Sequence, residues 1–342
     1  MSPQKRKYWG LLSSSMPAAA LADLAKQQEI AGLDGTFAVQ VYGPPFGPLA
    51  VAASSTTQLK VATGIAIALT RSPFETAMAA TELDHMSQGR FVLGLGASVK
   101  SWTGGFFGMP YEKPVAQLKE AVEVIRKVVA GSHTGSLENH KGKYYHLDFS
   151  ELQPPPPPHR ERIPIWISAL RGAMARLGAE IGDGVIGHPI WTVDWLQKEI
   201  AKELKVGLDR AGRKKSDIEV NCWFWTTPNK DRKESVEDAR AVVAFYAGME
   251  QYEPFFAAHG FGDICKNLQE GVKQGSYMDV ADLVPDDMAS TFVLTGTPDE
   301  VRTRLEPAWE IADSMTLLPP VMSLPPEKTV SYFETIGETF YG

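Results

Sequence analysis

The stretch TELDHMSQGRFVLGLGAS, residues 81–98, joins a helix-like segment to an apolar run that contains two glycines, Gly94 and Gly96. A dinucleotide-binding turn would need a third glycine, a helix opening directly from the turn, and an acidic residue about 20 positions later. Val99 stands where the third glycine belongs, and glycines and a proline interrupt the expected helix start: Gly104, Gly105, Gly108 and Pro110. The pattern favours a buried strand that ends in a turn, with glycines that merely relax the backbone as an open alternative.

Outward from this stretch, apolar runs alternate with segments of helical periodicity along the whole chain. The predicted strands centre near residues 10, 38, 63, 93, 166, 186, 222 and 317. Each run is continuously apolar, as expected for parallel strands covered on both faces. Eight strand–helix units predict an α/β fold, a single (β/α)₈ TIM-type barrel with a helical insertion between strands seven and eight. A doubly wound sheet is the alternative.

Three segments depart from this alternation, and they predict insertions within one domain that spans residues 1–342. They lie at about 97–113, 132–162 and 228–290, and the second contains five consecutive prolines, 154–158. Long connections of this kind commonly carry function in barrel enzymes.

The composition excludes several classes of protein. Hydrophobic residues make up 44% and charged residues 22% of the 342 residues, and the formal net charge is -7. The absence of a basic block argues against a nucleic-acid partner. Cys222 and Cys265 are too few for a disulfide framework. The N-terminal segment lacks the apolar core of a secretory signal, and no run of about 18 apolar residues predicts a membrane span. We therefore expect a cytoplasmic protein with no membrane partner.

The segment AATELDHMSQGRFVLGLGAS closely resembles the pattern A-x-x-L-D-x-x-S-x-G-R-F-x-L-G-x-G of the bacterial luciferase-like superfamily. This superfamily contains flavin monooxygenases and oxidoreductases dependent on the deazaflavin coenzyme F420. Four further segments match the superfamily and occur in its order along the chain: AGLDGTF, LKVATGIAIALTRSPFETA, PIWISALRGAMARLGAEIGDGVI and LTGTPDEV. Within the superfamily, GFFGMPYEKPVAQLKE and GHPIWTVDWL are most similar to an actinobacterial-type subgroup of F420-dependent oxidoreductases of undefined substrate. The resemblance covers nearly the whole chain.

The resemblance implies a cofactor site at the carboxyl ends of the barrel strands. Gly64 and Ile65 match the position of a non-prolyl cis peptide that backs the cofactor ring, followed by Ala66. Gly94, Gly96 and Ser98 would form the pocket wall beneath the ring. The phosphate would lie at a strand-to-helix turn, where free N–H groups favour an anion, and near the end of the sixth strand: Ser168, Ala169, Leu170, Arg171, Gly172 and Gly187. Arg171 or Arg176 could add charge, or Arg171 could be a solvated residue.

The end of the second strand departs from the family pattern. Many deazaflavin enzymes of the superfamily have an acidic residue and a histidine there, whereas this chain has Gln40 and Tyr42. Gln40 is neither an acid nor a base, and Tyr42 would need a lowered pKa to exchange protons near neutrality. We predict that Gln40, Tyr42 and His188 face the reacting edge, with a structural hydrogen bond as the alternative role of His188.

Other residues give weaker signals. The tryptophans near strand ends could line a flat apolar pocket or pack in the core: Trp9, Trp102, Trp223 and Trp225. The spacing of three histidines matches no metal signature, so we expect no metal site: His133, His140 and His146. No G-x-S-x-G or Cys–His pattern supports a hydrolase.

The sequence therefore predicts an oxidoreductase that moves a hydride between coenzyme F420 and a small organic substrate at the C-terminal face of the barrel. The main alternative is an FMN-dependent monooxygenase that uses reduced flavin and O₂, the flavin being supplied by a partner reductase. A cofactor-free barrel that binds a ligand is a further alternative. The resemblance also implies a homodimer.

Overall fold

The computed structural model describes residues 6–13, 15–41 and 43–341. Its contacts divide the chain into two compact units. The first unit runs to Ile186 and includes Glu203–Val220, and the second comprises Gly187–Lys202 and the chain from Asn221 onward. The assignment of residues 1–342 to one barrel domain stays a prediction.

Strands and helices alternate through the first half of the chain as the apolar pattern predicts. In chain order the elements are β1 Trp9–Leu12, α1 Ala18–Ile30, β2 Gly35–Ala38, α2 Phe46–Ser55, β3 Lys60–Thr63, β4 Ala66–Ile67, α3 Pro73–Met86, β5 Phe91–Gly96, α4 Pro114–Gly131, β6 His140–Lys141, β7 His146–Leu147, β8 Ile165–Ala169, α5 Gly172–Ile181 and β9 Gly184–Gly187. Local chemistry sets several helix starts. Ser72 accepts a hydrogen bond from the Phe74 N–H ahead of α3, and prolines occupy the first turns of α3 and α4.

The second half begins with a helical segment and continues with the longest strand. Its elements are α6 Val193–Trp195, α7 Ala201–Ala211, β10 Glu219–Pro228, α8 Arg232–Ala247, α9 Glu253–Ala258, α10 Gly262–Gln274, α11 Asp286–Phe292, β11 Leu294–Gly296, α12 Pro298–Leu305, β12 Ser314–Leu318 and α13 Pro326–Ile336. All eight predicted strands are present, and α8 to α11 form the predicted helical insertion. The three-residue strand β11 is an addition that periodicity did not predict.

The strands of the first unit form a parallel sheet in the order β1-β2-β3-β5-β8-β9. Trp9 pairs with Gly35, Gly35 with Lys60, and Leu93 with Ile165. In the second unit, β10 pairs in parallel with both β11 and β12. Because parallel strands present their carboxyl ends at one edge, side chains that follow β2, β3, β5 and β8 gather at the same edge of the first unit's sheet.

Each unit has its own apolar interior. In the first unit Trp9 is fully buried, and its ring centroid lies 4.7 Å from Phe37 and 5.1 Å from Trp166. In the second unit the Phe256 and Phe292 rings meet edge-on, with 4.4 Å between their centroids. Trp223 and Trp225 are also buried. Trp9 is therefore a core residue. Of the four tryptophans considered as pocket residues, Trp102 alone is partly exposed.

The predicted insertions have modest structure of their own. Residues 101–106 form a π-helical turn, and β6 pairs with β7 as a short antiparallel hairpin. The Glu120 carboxylate of α4 accepts hydrogen bonds from the backbone N–H groups of Lys143, Tyr144 and Tyr145, which holds this hairpin in place. No helix within the described residues is long and apolar enough to cross a membrane.

Candidate functional site at the strand ends of the first unit

The peptide bond between Gly64 and Ile65, which directly follows β3, is cis. The resemblance implied a cis bond at this position, and the structure has it. The Gly64 N–H donates to the Ala38 carbonyl at 2.8 Å, and the Gln40 N–H donates to the Ile65 carbonyl at 3.2 Å. Ala66 follows in β4, is fully buried, and pairs with Leu95. The ends of β2 and β3 are thus tied together through backbone hydrogen bonds.

Gln40 is the polar side chain at this junction and is 4% exposed. Its Oε1 accepts a hydrogen bond from the Ile67 N–H at 2.9 Å and a second from Arg71 Nη2 at 3.1 Å. Because both donors meet the oxygen, the amide is held in one orientation. The Nε2 group is consequently the part of Gln40 that is left to donate to another acceptor.

Arg71 was not selected from the sequence, although it stands beside the expected ring position in the segment LTRSP. Its side chain is 11% exposed, and its guanidinium lies 5.1 Å from the Phe46 ring centroid. Glu75, which is mostly exposed, approaches Nε at 3.7 Å. Burial lowers the Arg71 pKa, and the Glu75 charge opposes that shift. Among the described residues Nη1 has no hydrogen-bond partner, so this cation is only partly neutralised.

Neighbouring parts of the chain leave no room for a side chain at Gly94 or at Gly96. A Cβ at Gly94 would lie 1.8 Å from the Thr63 carbonyl oxygen and 2.7 Å from Ile186 Cδ1. A Cβ at Gly96 would lie 2.2 Å from Ser168 Oγ and 2.4 Å from Ile65 Cδ1. Close strand packing therefore accounts for both glycines, and their predicted place beneath the cofactor ring stays a prediction.

Ser98 has a positive φ of 58° in the turn after β5. Its carbonyl accepts a hydrogen bond from the Tyr111 hydroxyl at 2.9 Å. Burial raises the Tyr111 pKa, and the positive charge of Arg171 partly offsets this rise. The turn after β5 and the turn after β8 are thus linked through Tyr111 and Arg171.

The turn from β8 to α5 contains the residues expected to hold a phosphate, from Ser168 to Gly172. Arg171 is the N-cap residue, with extended backbone angles of φ −122° and ψ 164°, and no side chain caps the helix. The first N–H groups of α5 are therefore available to an anion. Arg176 is hydrogen-bonded to Glu203 at 2.6 Å, whereas Arg171 is exposed. Of the two arginines considered, Arg171 is the one whose charge is available.

In the second unit, His188 lies in an aromatic cluster. The Ile190 N–H donates to Nδ1 at 3.4 Å, and Nε2 lies 3.3 Å from the Tyr252 hydroxyl. The Tyr246 ring meets the imidazole edge-on at 5.1 Å between centroids. Burial lowers the His188 pKa to about 3. His188 is therefore neutral near pH 7, with Nδ1 as an acceptor and Nε2–H as a donor.

The remaining predicted residues are placed as follows. Gly187 packs against Trp191, where a Cβ would lie 2.6 Å from the indole ring. Tyr42 lies outside the described residues. His140 Nε2 approaches Glu120 at 3.4 Å, and the described residues contain no group of three or more potential metal ligands. Tyr246 and Tyr252 were missed from the sequence because no local pattern links them to His188, 58 and 64 residues away.

Comparison with known proteins identifies the family of the chain. A family model described as luciferase-like monooxygenase matches residues 4–312. The chain is 31% identical over 288 residues to a protein from Archaeoglobus fulgidus named 5,10-methylenetetrahydromethanopterin reductase, covering 82% of this chain and 83% of that protein.

Two solved structures show the same fold. The coenzyme F420-dependent tetrahydromethanopterin reductase from Methanopyrus kandleri superposes with a TM-score of 0.81 at 23% identity, covering 98% of each chain. The oxygenating constituent of 3,6-diketocamphane monooxygenase from Pseudomonas putida, in complex with FMN, superposes with a TM-score of 0.67 at 16% identity, covering 99% of this chain and 98% of that chain. The predicted (β/α)₈ fold class is confirmed, and the alternative of a doubly wound sheet is wrong. The chain belongs to the bacterial luciferase-like family of oxidoreductases and monooxygenases.

Proposed function

We propose that the protein is a coenzyme F420-dependent oxidoreductase that transfers a hydride between the deazaflavin and a small organic substrate. The observation that carries the proposal is the turn from β8 to α5, where an uncapped helix start and the exposed Arg171 follow a parallel strand. A phosphate fits this turn because N–H groups and positive charge converge there. The higher structural similarity to an F420-dependent reductase than to the FMN-bound monooxygenase supports the choice of cofactor.

The residues near Ile65 suit one end of a flat ring. The Gln40 backbone N–H donates to the Ile65 carbonyl, and Oε1 accepts from the Ile67 N–H. The side-chain Nε2 can therefore donate to a ring or substrate oxygen without reorienting. When bound, the deazaflavin supplies a carbon that accepts or gives up a hydride. The protein's part is to hold the ring, orient the substrate and exclude water.

Of the three predicted reacting-edge residues, the two that the structure describes, Gln40 and His188, carry no charge near pH 7. Gln40 does not titrate, and His188 is neutral because burial lowers its pKa to about 3. We therefore propose that Gln40 and His188 act through hydrogen bonds. A substrate whose oxygen accepts a hydrogen bond while the hydride is added, and then takes its proton from water, suits such groups better than an alcohol that must lose a proton to a base.

The second candidate is an FMN-dependent monooxygenase, which the FMN-bound structural neighbour favours. The same turn would hold the FMN phosphate, and a partner reductase would supply the reduced flavin. A cofactor-free ligand-binding barrel is the third candidate. We also propose a homodimer, which light scattering of the purified protein would test.

The deciding experiment is a titration of the protein with coenzyme F420 and with FMN, followed by ring fluorescence. We expect F420 to bind at least tenfold more tightly than FMN. The variant Arg171→Glu should weaken the binding of both cofactors, while Lys26→Glu, at an exposed position on α1, should not.

Tighter binding of FMN, together with consumption of O₂ by the protein and reduced FMN, would support the monooxygenase instead. Binding of neither cofactor at tens of micromolar would leave the ligand-binding barrel as the function.

A further inference from the structure

Arg71 is a buried cation with few polar partners. Its side chain is 11% exposed, and Nη2 donates a hydrogen bond to Gln40 Oε1 at 3.1 Å. Nε lies 3.7 Å from the carboxylate of Glu75, which is mostly exposed, and Nη1 has no hydrogen-bond partner among the described residues. A buried charge that is compensated so incompletely costs free energy. Stability alone therefore does not account for Arg71, and its contact with Gln40 indicates what the charge does.

Arg71 fixes the orientation of the Gln40 amide. The Ile67 N–H at 2.9 Å and Arg71 Nη2 at 3.1 Å both donate to Oε1. If the amide were turned over, the donor Nε2 would face these two donors, and both hydrogen bonds would be lost. Without Arg71, the Ile67 N–H alone would favour the present orientation. In that orientation Nε2 is left without a hydrogen-bond partner in the part of the chain that the structure describes.

The charge of Arg71 also affects the strength of Gln40 as a donor. A hydrogen bond from a cation draws electron density toward Oε1, and the N–H bonds of Nε2 become more polar as a result. This polarisation is larger where water is scarce, and Gln40 is only 4% exposed. The pair therefore presents a stronger donor than an ordinary amide. The acceptor that gains most from it is an oxygen whose negative charge increases.

Gln40 lies within reach of a ring whose phosphate is held by the turn from β8 to α5. It follows β2, and the sheet order β2-β3-β5-β8 places it three strands from that turn. Three strand spacings correspond to about 14 Å along the sheet. Both positions follow the carboxyl ends of parallel strands and so lie at the same edge. A ribityl chain that begins at the phosphate can carry the ring toward Gln40 across this distance.

We propose that Arg71 is a positioning residue that acts through Gln40. It keeps Nε2 turned toward a carbonyl oxygen of the cofactor ring, and it favours binding of the reduced ring over the oxidised ring. The reduced ring has gained a hydride with its pair of electrons, so its carbonyl oxygens are better acceptors. The inference rests on the proposed function, and it adds that the Arg71–Gln40 pair biases the bound deazaflavin toward its reduced form.

The test compares the affinities of oxidised and of reduced F420 for each variant, measured by calorimetric titration under nitrogen. The quantity compared is the ratio of the dissociation constant of the oxidised form to that of the reduced form. Because unfolded protein lowers both affinities alike, a loss of stability cancels in this ratio. We expect Arg71→Met to lower the ratio about five- to tenfold, the size expected for the loss of one hydrogen bond.

Two further variants show whether the arginine acts through the glutamine. Gln40→Leu removes the donor, so we expect the same fall in the ratio as for Arg71→Met. The double variant Arg71→Met/Gln40→Leu should fall no further than either single variant, because both substitutions remove the same interaction. Arg71→Lys keeps a cation that can donate to Oε1, and its ratio should stay within about twofold of that of the unaltered protein.

The matched control is Arg210→Met, which removes one positive charge at an exposed position on α7. Its ratio should equal that of the unaltered protein. An equal fall in this control would overturn the inference, because a general effect of net charge would then explain the result.

A further fall of the ratio in the double variant, or an unchanged ratio for Gln40→Leu, would overturn the inference, because the charge would then act on the ring directly. A ratio for Arg71→Lys as low as that for Arg71→Met would contradict the role of the charge. Ratios that are equal in all variants would overturn the positioning role, while F420 binding itself would leave the proposed function intact. If the unaltered protein binds FMN and neither form of F420, the proposed function and this inference fail together.

Discussion

The strand ends of the first unit and the aromatic cluster of the second unit hold polar groups in opposite ways. At the strand ends, the Gln40 side chain is fixed by hydrogen bonds from Arg71 and from the Ile67 backbone N–H, and the guanidinium keeps its charge with little compensation. In the aromatic cluster, defined by His188, Tyr246 and Tyr252, burial removes the charge from the imidazole. The comparison teaches that the first region is built to meet an electron-rich partner and the second to present neutral donors and acceptors.

The strongest way to break the first region is Gly94→Ala. The new Cβ would fall 1.8 Å from the Thr63 carbonyl oxygen, a backbone atom that cannot move without disturbing β3. We expect a loss of about 3 kcal/mol or more in unfolding free energy, measured by urea denaturation. Gly47→Ala in α2 is the matched control, because no atom lies within 4 Å of its Cβ. Equal stability of the two variants would show that β3 and β5 are not packed as closely as described.

The second region is tested by the pH dependence of stability. The His188 pKa is lowered to about 3, so on acidification the unfolded state takes up a proton near its ordinary pKa of 6.5 and the native state does not. The neutral His188 therefore contributes to the free energy of unfolding above pH 6.5, and this contribution is lost as the pH falls toward 3. Between pH 7.5 and 5 we expect the free energy of unfolding to fall by about 2 kcal/mol.

The pH dependence is measured as urea unfolding free energies of the unaltered protein and of His188→Gln at several pH values. The variant should lose this part of the slope, whereas His159→Gln, at an exposed position, should keep it. Parallel pH curves for the unaltered protein and His188→Gln would mean that His188 titrates normally in the folded protein.

A pair of substitutions tests the role of Gln40 as a hydrogen-bond acceptor. Gln40→Leu leaves the Ile67 N–H and Arg71 Nη2 without their acceptor, which we expect to cost about 1 to 2 kcal/mol. Gln40→Glu keeps an oxygen at the same place and should cost much less. Thermal or urea unfolding measures both, and a larger loss for Gln40→Glu would refute the assignment of Oε1 as the engaged atom.

The smallest effect is expected for Tyr111→Phe, which removes one hydrogen bond to the Ser98 carbonyl. We expect a loss of about 0.5 to 1 kcal/mol in unfolding free energy. Tyr144→Phe is the control, because the Tyr144 hydroxyl has no hydrogen bond within the part of the chain that the structure describes. If the two substitutions have the same effect, the Tyr111 hydroxyl does not support the turn after β5.

Much of the secondary structure was predictable because it follows from local chemistry. Helix α4 has the predicted bounds of 114–131, with a proline at its start and apolar residues at helical spacing. The strands β5 and β8 are apolar runs bounded by turn residues. The strand β11 escaped prediction because three residues are too few to show a period. The β6–β7 hairpin depends on Glu120, 20 or more residues earlier, and local patterns do not report such a contact.

By itself the sequence determined the alternation of eight strands and their helices, the family, and the strand-end turns at which a cofactor phosphate would bind. These follow from period, from turn chemistry and from motifs that are contiguous in the chain. Only the tertiary structure decided that Arg71 holds Gln40 from 31 residues away, that Gly94 faces the Thr63 carbonyl, and that His188 is neutral. The physical reason is that hydrogen bonding, steric contact and desolvation depend on which atoms meet in space. Local patterns in the sequence do not show which distant residues will meet.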